Sequence, residues 1–488
     1  MQRSLSVLGA VIAPLWLAVS PAAAQDAPDL EALLRGDGGE LTSEALATRA
    51  VERAPSLAGA DASIARVQAS VQEVWASIVP TVTVGARYTR LSEIQNDPLV
   101  SGLGGGGADA LVAGVDDPEA RQLWATSLAQ QQALGAQTIP VILDQLVFEA
   151  QVQVPVSELF LSLLPRLEAA EAAVDAERAR RDVVESTLRL RAREAFYGAL
   201  RARALAGVTA ARVRELEEQT RLAERGREHG AVRRSDVLGA QAQLAAARAD
   251  QATALGMVSA ADGAVRSLLG LPPDAPLTLG EDLSAPLAAQ PRSLHALVGL
   301  AFERRAEVQT IRHALRATRS SRSAAEGARW PALRVAFGAQ VANPNTRYVP
   351  QRERFDATWD LSVVLAWSPN QTIAADARAN AASAEATRLA TELESFRDAL
   401  HREIASAHAD DRAASARLAA ARASLEAAVE AHRARSLERA EGEATTADVL
   451  ESESTLASAR MRVVDAAVGA RLARARLAFA TADAVPAP

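Results

Sequence analysis

The histidines closest to carboxylates offer the plainest metal-binding chemistry in the sequence. His401 and His408 are seven residues apart and precede Asp410 and Asp411. Residues at this spacing can share a helix face. Zinc-binding helices, however, carry H-E-x-x-H, and the segment HREIASAH does not fit that pattern. We therefore interpret the histidines as solvated positions on a long helix and predict neither a metal nor another cofactor.

A glycine-rich stretch formally matches a nucleotide-binding motif. Gly102 to Gly107 reads G-L-G-G-G-G and so fits G-x-G-x-x-G. The motif binds a pyrophosphate where it follows a strand and opens a helix, and neither context is evident here. A flexible surface loop is the favoured interpretation. The sequence also contains no arrangement of serine or cysteine nucleophiles, so we predict that the protein is not an enzyme.

A nine-residue phrase occurs twice, as GAVRRSDVL at 230–238 and as GEATTADVL at 442–450. In both copies a glycine stands six residues before Asp-Val-Leu. Such a glycine can adopt the left-handed conformation that ends a helix, and a nearby oxygen-bearing side chain can cap the next helix. The candidate caps are Ser235 or Asp236 in the first copy and Thr446 or Asp448 in the second.

Composition excludes several classes of function. The 488 residues include no cysteine, which excludes disulfides, thiolate metal sites and a lipidated N-terminal cysteine. The net charge of −7, with both signs interspersed, argues against a nucleic-acid partner. Hydrophobic residues make up 49% of the chain and aromatic residues 3%. Much of the apolar content is alanine, which favours closely packed helices over a bulky globular core.

The N-terminal residues resemble an export signal. Arg3 precedes the apolar run LSVLGAVIAPLWLAV, and the small residues of PAAAQ fit cleavage after Ala24. A transmembrane helix is the alternative, although the run is short and ends at a proline. The remaining sequence has no run of about eighteen apolar residues, so we expect any membrane crossing to use strands.

Most of the sequence predicts long helices. Six segments are rich in Ala, Leu, Glu and Arg, with apolar residues at gaps of three and four that indicate coiled-coil packing. They are Leu41 to Ile78, Ser157 to His229, Ser235 to Leu269, Ser293 to Ala328, Ala374 to Glu441 and Thr446 to Ala482.

Four short segments alternate apolar and polar residues, which is the period of a strand. Each is about ten residues long, enough to cross a bilayer at a tilt. A soluble sheet packed on a helix is the alternative. The polar faces carry charged residues that suit a water-filled lumen better than a core. These predicted lumen residues are Arg87, Glu149, Arg334, Asp356 and Asp360.

Four strands cannot close a barrel, and an open sheet edge in lipid leaves backbone groups unpaired. Several chains must therefore contribute to one barrel. Two copies give eight strands and a filled interior, whereas three give twelve strands and space for an aqueous passage. The strands alone do not choose between these.

The order of elements indicates two repeats, each reading helix, strand, loop, strand, long helix, glycine turn, helix. We divide the sequence into a signal peptide (1–24), a linker (25–40), a first repeat (41–270), a linker (271–292), a second repeat (293–482) and a tail (483–488). The first repeat has strands at about 81–91 and 145–156 and a tip at 228–238. The second has strands at about 332–342 and 355–367 and a tip at 440–451.

Together, the signal peptide, strand pairs, helical hairpins, duplicated halves and G-x5-D-V-L tips resemble the TolC-like outer-membrane efflux protein family. The resemblance implies a mainly α fold with a small transmembrane β part, in which three copies form a 12-stranded β-barrel and an α-helical tunnel. It also implies a passive, non-enzymatic exit duct in the outer membrane of a Gram-negative bacterium. The expected partners are a periplasmic adaptor protein and an inner-membrane efflux pump or ABC exporter, for efflux or type I secretion. The alternative function is a periplasmic coiled-coil scaffold without a pore.

The resemblance also assigns roles to the tips. Adaptor docking falls on Gly230, Ala231, Val232, Ser235, Asp236, Val237, Leu238, Gly442, Val449 and Leu450. The periplasmic gate falls on Asp448 and Glu451, which share a helix face and would form negative rings in a trimer. Helix-start carboxylates stabilised by the helix dipole are the alternative reading of this pair. In the family, residues beside the second tip help to hold the entrance closed, and Arg439 occupies the position of one of them. We expect Arg439 to pair with Asp236 of the neighbouring hairpin.

Overall fold

The structure is a computed structural model that describes residues 30–35, 38–93, 107–135, 142–287, 292–349 and 351–483. The predicted signal peptide and most of the Gly102 to Gly107 stretch lie outside these residues. The elements, in chain order, are α1 (Leu30–Leu34), α2 (Ser43–Arg53), α3 (Pro55–Ile78), β1 (Thr81–Arg90), α4 (Gly107–Ala113), α5 (Pro118–Gly135), β2 (Asp144–Pro155), α6 (Val156–Glu158), a π-helical turn (Leu159–Leu163), α7 (Leu164–Glu228), α8 (Arg234–Leu269), α9 (Leu294–Arg304), α10 (Ala306–Gly327), β3 (Ala332–Asn343), β4 (Asp356–Ala366), α11 (Pro369–Ala440) and α12 (Thr446–Thr481).

Two helices are far longer than those of ordinary globular domains. Helix α7 has 65 residues and α11 has 72, which correspond to about 98 Å and 108 Å at 1.5 Å per residue. Both consist largely of Ala, Leu, Glu and Arg, which lose little side-chain freedom in a helix. The predicted mainly α fold is confirmed.

Two predicted helices are each interrupted once. Ala54 is extended, with φ −70° and ψ 118°, because the following Pro55 disfavours helical backbone at the preceding residue. Arg305 is also extended, with φ −60° and ψ 127°. The guanidinium of Arg305 donates to the carbonyl of Phe479 and to the carboxylate of Glu307, which holds the break. The expectation of one continuous helix in each segment was therefore wrong.

The connection between the first two strands contains two helices where a loop was expected. Helix α5 starts at Pro118, a residue suited to the first helical position, and Asp117 accepts a hydrogen bond from the backbone N–H of Glu119. Its sequence, PEARQLWATSLAQQQALG, is made largely of good helix formers. The glycine content of the neighbouring stretch obscured this signal.

The four strands form one antiparallel sheet in the order β1-β2-β3-β4. Register pairs Val84 with Ala150 and Ala150 with Ala339, which in turn pairs with Trp359. Because directly paired residues point to the same side, the apolar positions of all four strands line one face. The predicted small β part is confirmed as a sheet of four strands.

The described chain divides into two compact units. One unit contains the residues up to 64, 176–312 and 391 onward, and it is helical. The other contains 65–175 and 313–390, and it includes the sheet. Each unit draws on both predicted repeats, and the repeat organisation itself stays a prediction.

The helical unit is packed around small side chains. Phe196 and Leu46 are completely buried in one cluster with Val464 and several alanines, among them Ala192 and Ala199. Alanine lets helices approach closely, so few aromatic residues are needed to fill the interior.

Candidate functional site: the hairpin turns and the charged face of the sheet

The first repeated phrase forms the turn between α7 and α8. Gly230 has φ +74°, a left-handed conformation that favours glycine. The backbone N–H of Ala231 donates to the carbonyl of Gly226 at 2.7 Å, which closes the end of α7. The glycine therefore has the role that the sequence indicates.

The predicted caps of this turn were wrong. Helix α8 begins at Arg234, and its N-cap is Arg233, which makes no capping hydrogen bond through its side chain. Ser235 and Asp236 lie within the first turn, where the Ser235 hydroxyl donates to the Asp236 carboxylate at 3.1 Å. The helix starts earlier than expected because an extended backbone at Arg233 suffices to begin it.

The second repeated phrase forms the turn between α11 and α12. Gly442 has φ +82°, and Thr445 is the N-cap of α12. The backbone N–H and the hydroxyl of Thr445 donate to the Asp448 carboxylate at 2.8 and 2.7 Å, and the N–H of Asp448 donates back to the Thr445 hydroxyl at 3.3 Å. This is a capping box, so Asp448 has a capping role and the expectation that Thr446 is the cap was wrong.

The capping box fixes a negative charge at the second turn. Hydrogen bonds from Thr445 lower the pKa of Asp448, which therefore stays ionised over the physiological range. Glu451, one turn later, is exposed. The two acidic side chains remain candidates for the predicted gate.

The predicted docking residues differ in accessibility. Gly230, Ala231, Ser235 and Gly442 are exposed, and Leu238 is 53% exposed. The remaining docking residues that are buried, Val237, Val449 and Leu450, pack inside the chain. Their side chains shape the turns. Val232 and Asp236 are half-buried, so they contribute part of the surface that the exposed residues present.

Arg439 and Asp236 are not brought together within the described chain. Arg439 is partly exposed and makes no ion pair there, and Asp236 contacts Ser235. Their pairing between neighbouring hairpins stays a prediction.

The sheet carries all five predicted lumen residues on one face. Arg87 pairs with Val147, Val147 with Ala342 and Ala342 with Asp356, so Arg87 and Asp356 lie in one row. Glu149, Arg334 and Asp360 are separated from that row by even numbers of residues along their strands, which places them on the same face.

The charged face is organised by local ion pairs. Arg334 contacts Glu158 at 3.0 Å, Asp356 contacts Arg354 at 2.8 Å, and Asp360 contacts Arg347 at 2.5 Å. Glycine lies opposite two of the carboxylates. A Cβ at Gly338 would lie 2.9 Å from Asp360, and one at Gly85 would lie 3.1 Å from Glu149. The glycines therefore leave space for the acidic side chains.

The opposite face is apolar and uncovered in the single chain. Trp359 is 68% exposed, and Val84, Phe148, Leu361 and Leu365 are exposed as well. Exposed apolar patches of this kind mark contact with lipid or with another protein. Separately, none of the helices that the structure describes is both long and apolar enough to span a membrane.

One family model matches most of the first half of the chain. Residues 46–271 match the family model described as outer membrane efflux protein. This segment is similar to the outer membrane efflux protein family. It includes β1, β2 and the first hairpin turn. No curated protein matches the chain significantly.

Solved structures show that the efflux-protein fold extends over nearly the whole chain. The chain is similar to the outer membrane protein VceC from Vibrio cholerae, with a TM-score of 0.69, 15% identity and coverage of 94% of this chain and 100% of that chain. It is also similar to the Neisseria gonorrhoeae MtrE outer membrane channel, with a TM-score of 0.67, 17% identity and coverage of 90% and 89%. The Campylobacter jejuni CmeC outer membrane channel gives a TM-score of 0.67, 11% identity and coverage of 90% and 85%. These likenesses establish the TolC-like fold.

The histidines singled out in the sequence, His401 and His408, are not gathered with other potential metal ligands among the described residues. His401 is exposed, whereas nearby Asp411 is buried and paired with Arg474 at 2.8 Å. No group of three or more potential metal ligands occurs among the described residues. His408 is half-buried and its Nδ1 is buried without a hydrogen-bond partner among the described residues, so only His401 has the solvated position expected for both histidines.

Sequence reasoning missed a buried polar network in the helical unit. The hydroxyl of Tyr197 donates to Glu281 at 2.6 Å, and the backbone N–H of Ser43 donates to the other carboxylate oxygen at 3.2 Å. Arg471 donates to the carbonyls of Asp282 and Ala285 and lies 3.7 Å from Glu281. The network ties the predicted linker 271–292 to three helices. The only feature of the sequence that could have indicated this network is Arg471, an arginine within the apolar stripe of α12.

Proposed function

We propose that the protein is the outer-membrane channel of a tripartite export system. Three copies assemble one barrel from twelve strands, and their helical hairpins form a tunnel in the periplasm. Substrates pass through passively, and an inner-membrane efflux pump or ABC exporter supplies the energy through a periplasmic adaptor. The protein reaches the outer membrane after cleavage of its signal peptide and carries no lipid anchor, consistent with the absence of cysteine.

The observation that carries the proposal is the two-faced sheet. Its apolar face suits lipid, its charged face suits a wet lumen, and β1 and β4 are edge strands of the described sheet. An edge in lipid must be paired, because unpaired backbone groups there cost several kcal/mol each. Pairing β1 of one copy with β4 of the next satisfies both edges.

The hairpin turns supply the other two roles in the proposal. The exposed turn residues Gly230, Ala231 and Leu238 present a surface to the adaptor. Asp448 and Glu451 narrow the entrance, because three copies of each concentrate negative charge there. Arg439 pairs with Asp236 across neighbouring hairpins and holds the entrance closed.

Membrane fractionation tests the proposal. We expect the protein in outer-membrane fractions as a trimer that dissociates only on heating. A soluble periplasmic monomer would instead support the scaffold alternative.

The single cysteines of Val232→Cys and Ala444→Cys variants are expected to crosslink the adaptor in cells, and capture of the adaptor from both positions would support docking at the turns.

A further inference from the structure

A carboxyl group is buried between the two helical hairpins. Glu453 lies in α12, and its side chain is 3% exposed. One turn earlier, Leu450 lies in a buried apolar cluster with Leu216 of α7 and Ala240 of α8. One turn later, Leu456 packs with Ala428 of α11. Glu453 therefore occupies a position in an apolar seam, which we define as the contact of α12 with α7 and α11 between Leu450 and Leu456.

Glu453 lacks the partner that other buried carboxylates have. Asp411 is also deeply buried, but Arg474 binds both of its oxygens, at 2.8 and 3.2 Å. Glu453 makes no ion pair with an arginine in the part of the chain that the structure describes, and its Oε1 has no hydrogen-bond partner there. Its Oε2 lies 3.7 Å from Nε2 of His432 on α11. An unpaired buried carboxylate is costly, so this arrangement favours the neutral acid or an imidazolium beside it.

The hydrogen bonds of Ser452 indicate which ring nitrogen of His432 carries the proton. The hydroxyl of Ser452 donates to the carbonyl of Val449 at 2.8 Å, so it accepts from Nδ1 of His432 at 3.0 Å. A neutral imidazole protonated on Nδ1 presents a bare Nε2 to Glu453. Without a further proton, the lone pair on Nε2 faces the ionised carboxylate of Glu453, and the two repel each other. One proton, held on the carboxylate or on Nε2, removes this repulsion. The pair therefore takes up one proton as a unit.

Burial and the charges on the packed helices shift the pKa values of Glu453 and His432. Burial, and to a lesser extent Glu215 of α7, raise the pKa of Glu453, Arg460 of α12 and Arg212 of α7 lower it, and the resulting pKa is about 7. Burial lowers the pKa of His432, while Glu215 raises it and Arg460 lowers it. The shared proton is therefore bound or lost near neutral pH.

We propose that Glu453 and His432 form a proton-binding site that controls the apolar seam between the hairpins: uptake of a proton tightens the seam, and its loss loosens it. The inference rests on the proposed function in that the hairpins are taken to line the channel entrance. It adds regulation by periplasmic pH to that entrance.

The direction of the pH dependence follows from the raised pKa of the Glu453 carboxyl group in the packed seam. The contribution of Glu453 to packing stability is complete below pH 4.5, where its carboxyl group is protonated in both packed and loosened states. It falls as the pH rises from 4.5 to about 7 and then stays at its lower value. The lowered pKa of His432 acts in the opposite direction, because the loosened imidazole takes up a proton below its ordinary pKa of 6.5. Through Glu453 alone, loosening becomes about tenfold more favourable between pH 6 and pH 8.

Hydrogen exchange of the full-length protein in detergent tests the site. Exchange rates of amides in 446–464 are compared between the natural protein and Glu453→Gln at equal pH, so that the intrinsic pH dependence cancels. We expect the ratio to rise about tenfold from pH 6 to pH 8, because the glutamine stays neutral. A ratio that does not change with pH would overturn the proposal.

Two further variants sharpen the comparison. Glu430 is an exposed carboxylate on α11, and Glu430→Gln is expected to keep the natural pH dependence. His432→Gln is expected to move the transition to lower pH, because an amide can donate to the carboxylate without titrating. An unshifted transition would remove His432 from the site and overturn the pair.

Currents across planar bilayers separate this inference from the proposed function. A pH-dependent exchange ratio in a protein that conducts no current would support the proton site and contradict the channel. Normal currents with a pH-independent ratio would support the channel and contradict the proton site.

Discussion

At the scale of single residues, the two hairpin turns differ in how they begin their second helix. Thr445 and Asp448 form a complete capping box, whereas the first turn has no side-chain cap. We expect Thr445→Ala to destabilise the start of α12 by about 1 kcal/mol. Amides of 446–449 should then exchange about fivefold faster. Ser235→Ala is the matched control and should leave α8 unchanged, since Ser235 does not cap; equal effects of the two substitutions would contradict the assignment.

The buried network around Glu281 gives a second residue-scale prediction. Glu281→Ala leaves Arg471 buried without its carboxylate, which should cost about 3–5 kcal/mol. Tyr197→Phe removes one hydrogen bond to a charged group and should cost about 1.5–3 kcal/mol. Thermal unfolding followed by circular dichroism should rank the melting temperatures accordingly, with Glu430→Gln unchanged. A Glu281→Ala protein as stable as the control would contradict the role given to the network.

Residue-scale features were the least predictable from the sequence. Left-handed glycines could be foreseen at Gly230 and Gly442 because few other residues tolerate that backbone. The caps could not, because a shift of one residue in the helix start moves the cap from Thr446 to Thr445. The burial of Glu453 could have been suspected from its place in the stripe with Leu450 and Leu456, but its lack of a partner is a tertiary property.

At the scale of elements, the sheet follows from alternation of residue types. A one-residue slip in pairing would exchange its two faces, so the uniform apolar face specifies the register. The helices of the connection at 107–135 were missed, since α4 is short and the polar and apolar residues of α5 follow glycine-rich sequence without a clear helical period.

The two faces of β1 make an element-scale prediction. Val84 lies on the apolar face and Thr83 on the charged face. If the apolar face contacts lipid, Val84→Arg should cost about 2–4 kcal/mol per chain near the bilayer midplane, whereas Thr83→Arg should be tolerated. The yield of heat-dissociable trimer in outer-membrane fractions should fall only for Val84→Arg. Equal yields would contradict the assignment of faces.

At the scale of the whole molecule, the long helices, the four strands and their order were foreseeable, because each leaves a strong periodic pattern. The number of chains in the proposed barrel was not, because four strands require only that some partner covers the edges. The choice of three rests on the family resemblance. Substrate and adaptor leave no mark on the periodic patterns that specify the fold.

Single-channel current across planar bilayers tests the central claim most directly. Purified trimers should insert in discrete conductance steps and prefer cations, because each gate would contain three copies of Asp448 and Glu451. Asp448→Asn combined with Glu451→Gln should reduce that preference while leaving the steps. Correctly fractionated trimers that give no conductance steps would contradict the account.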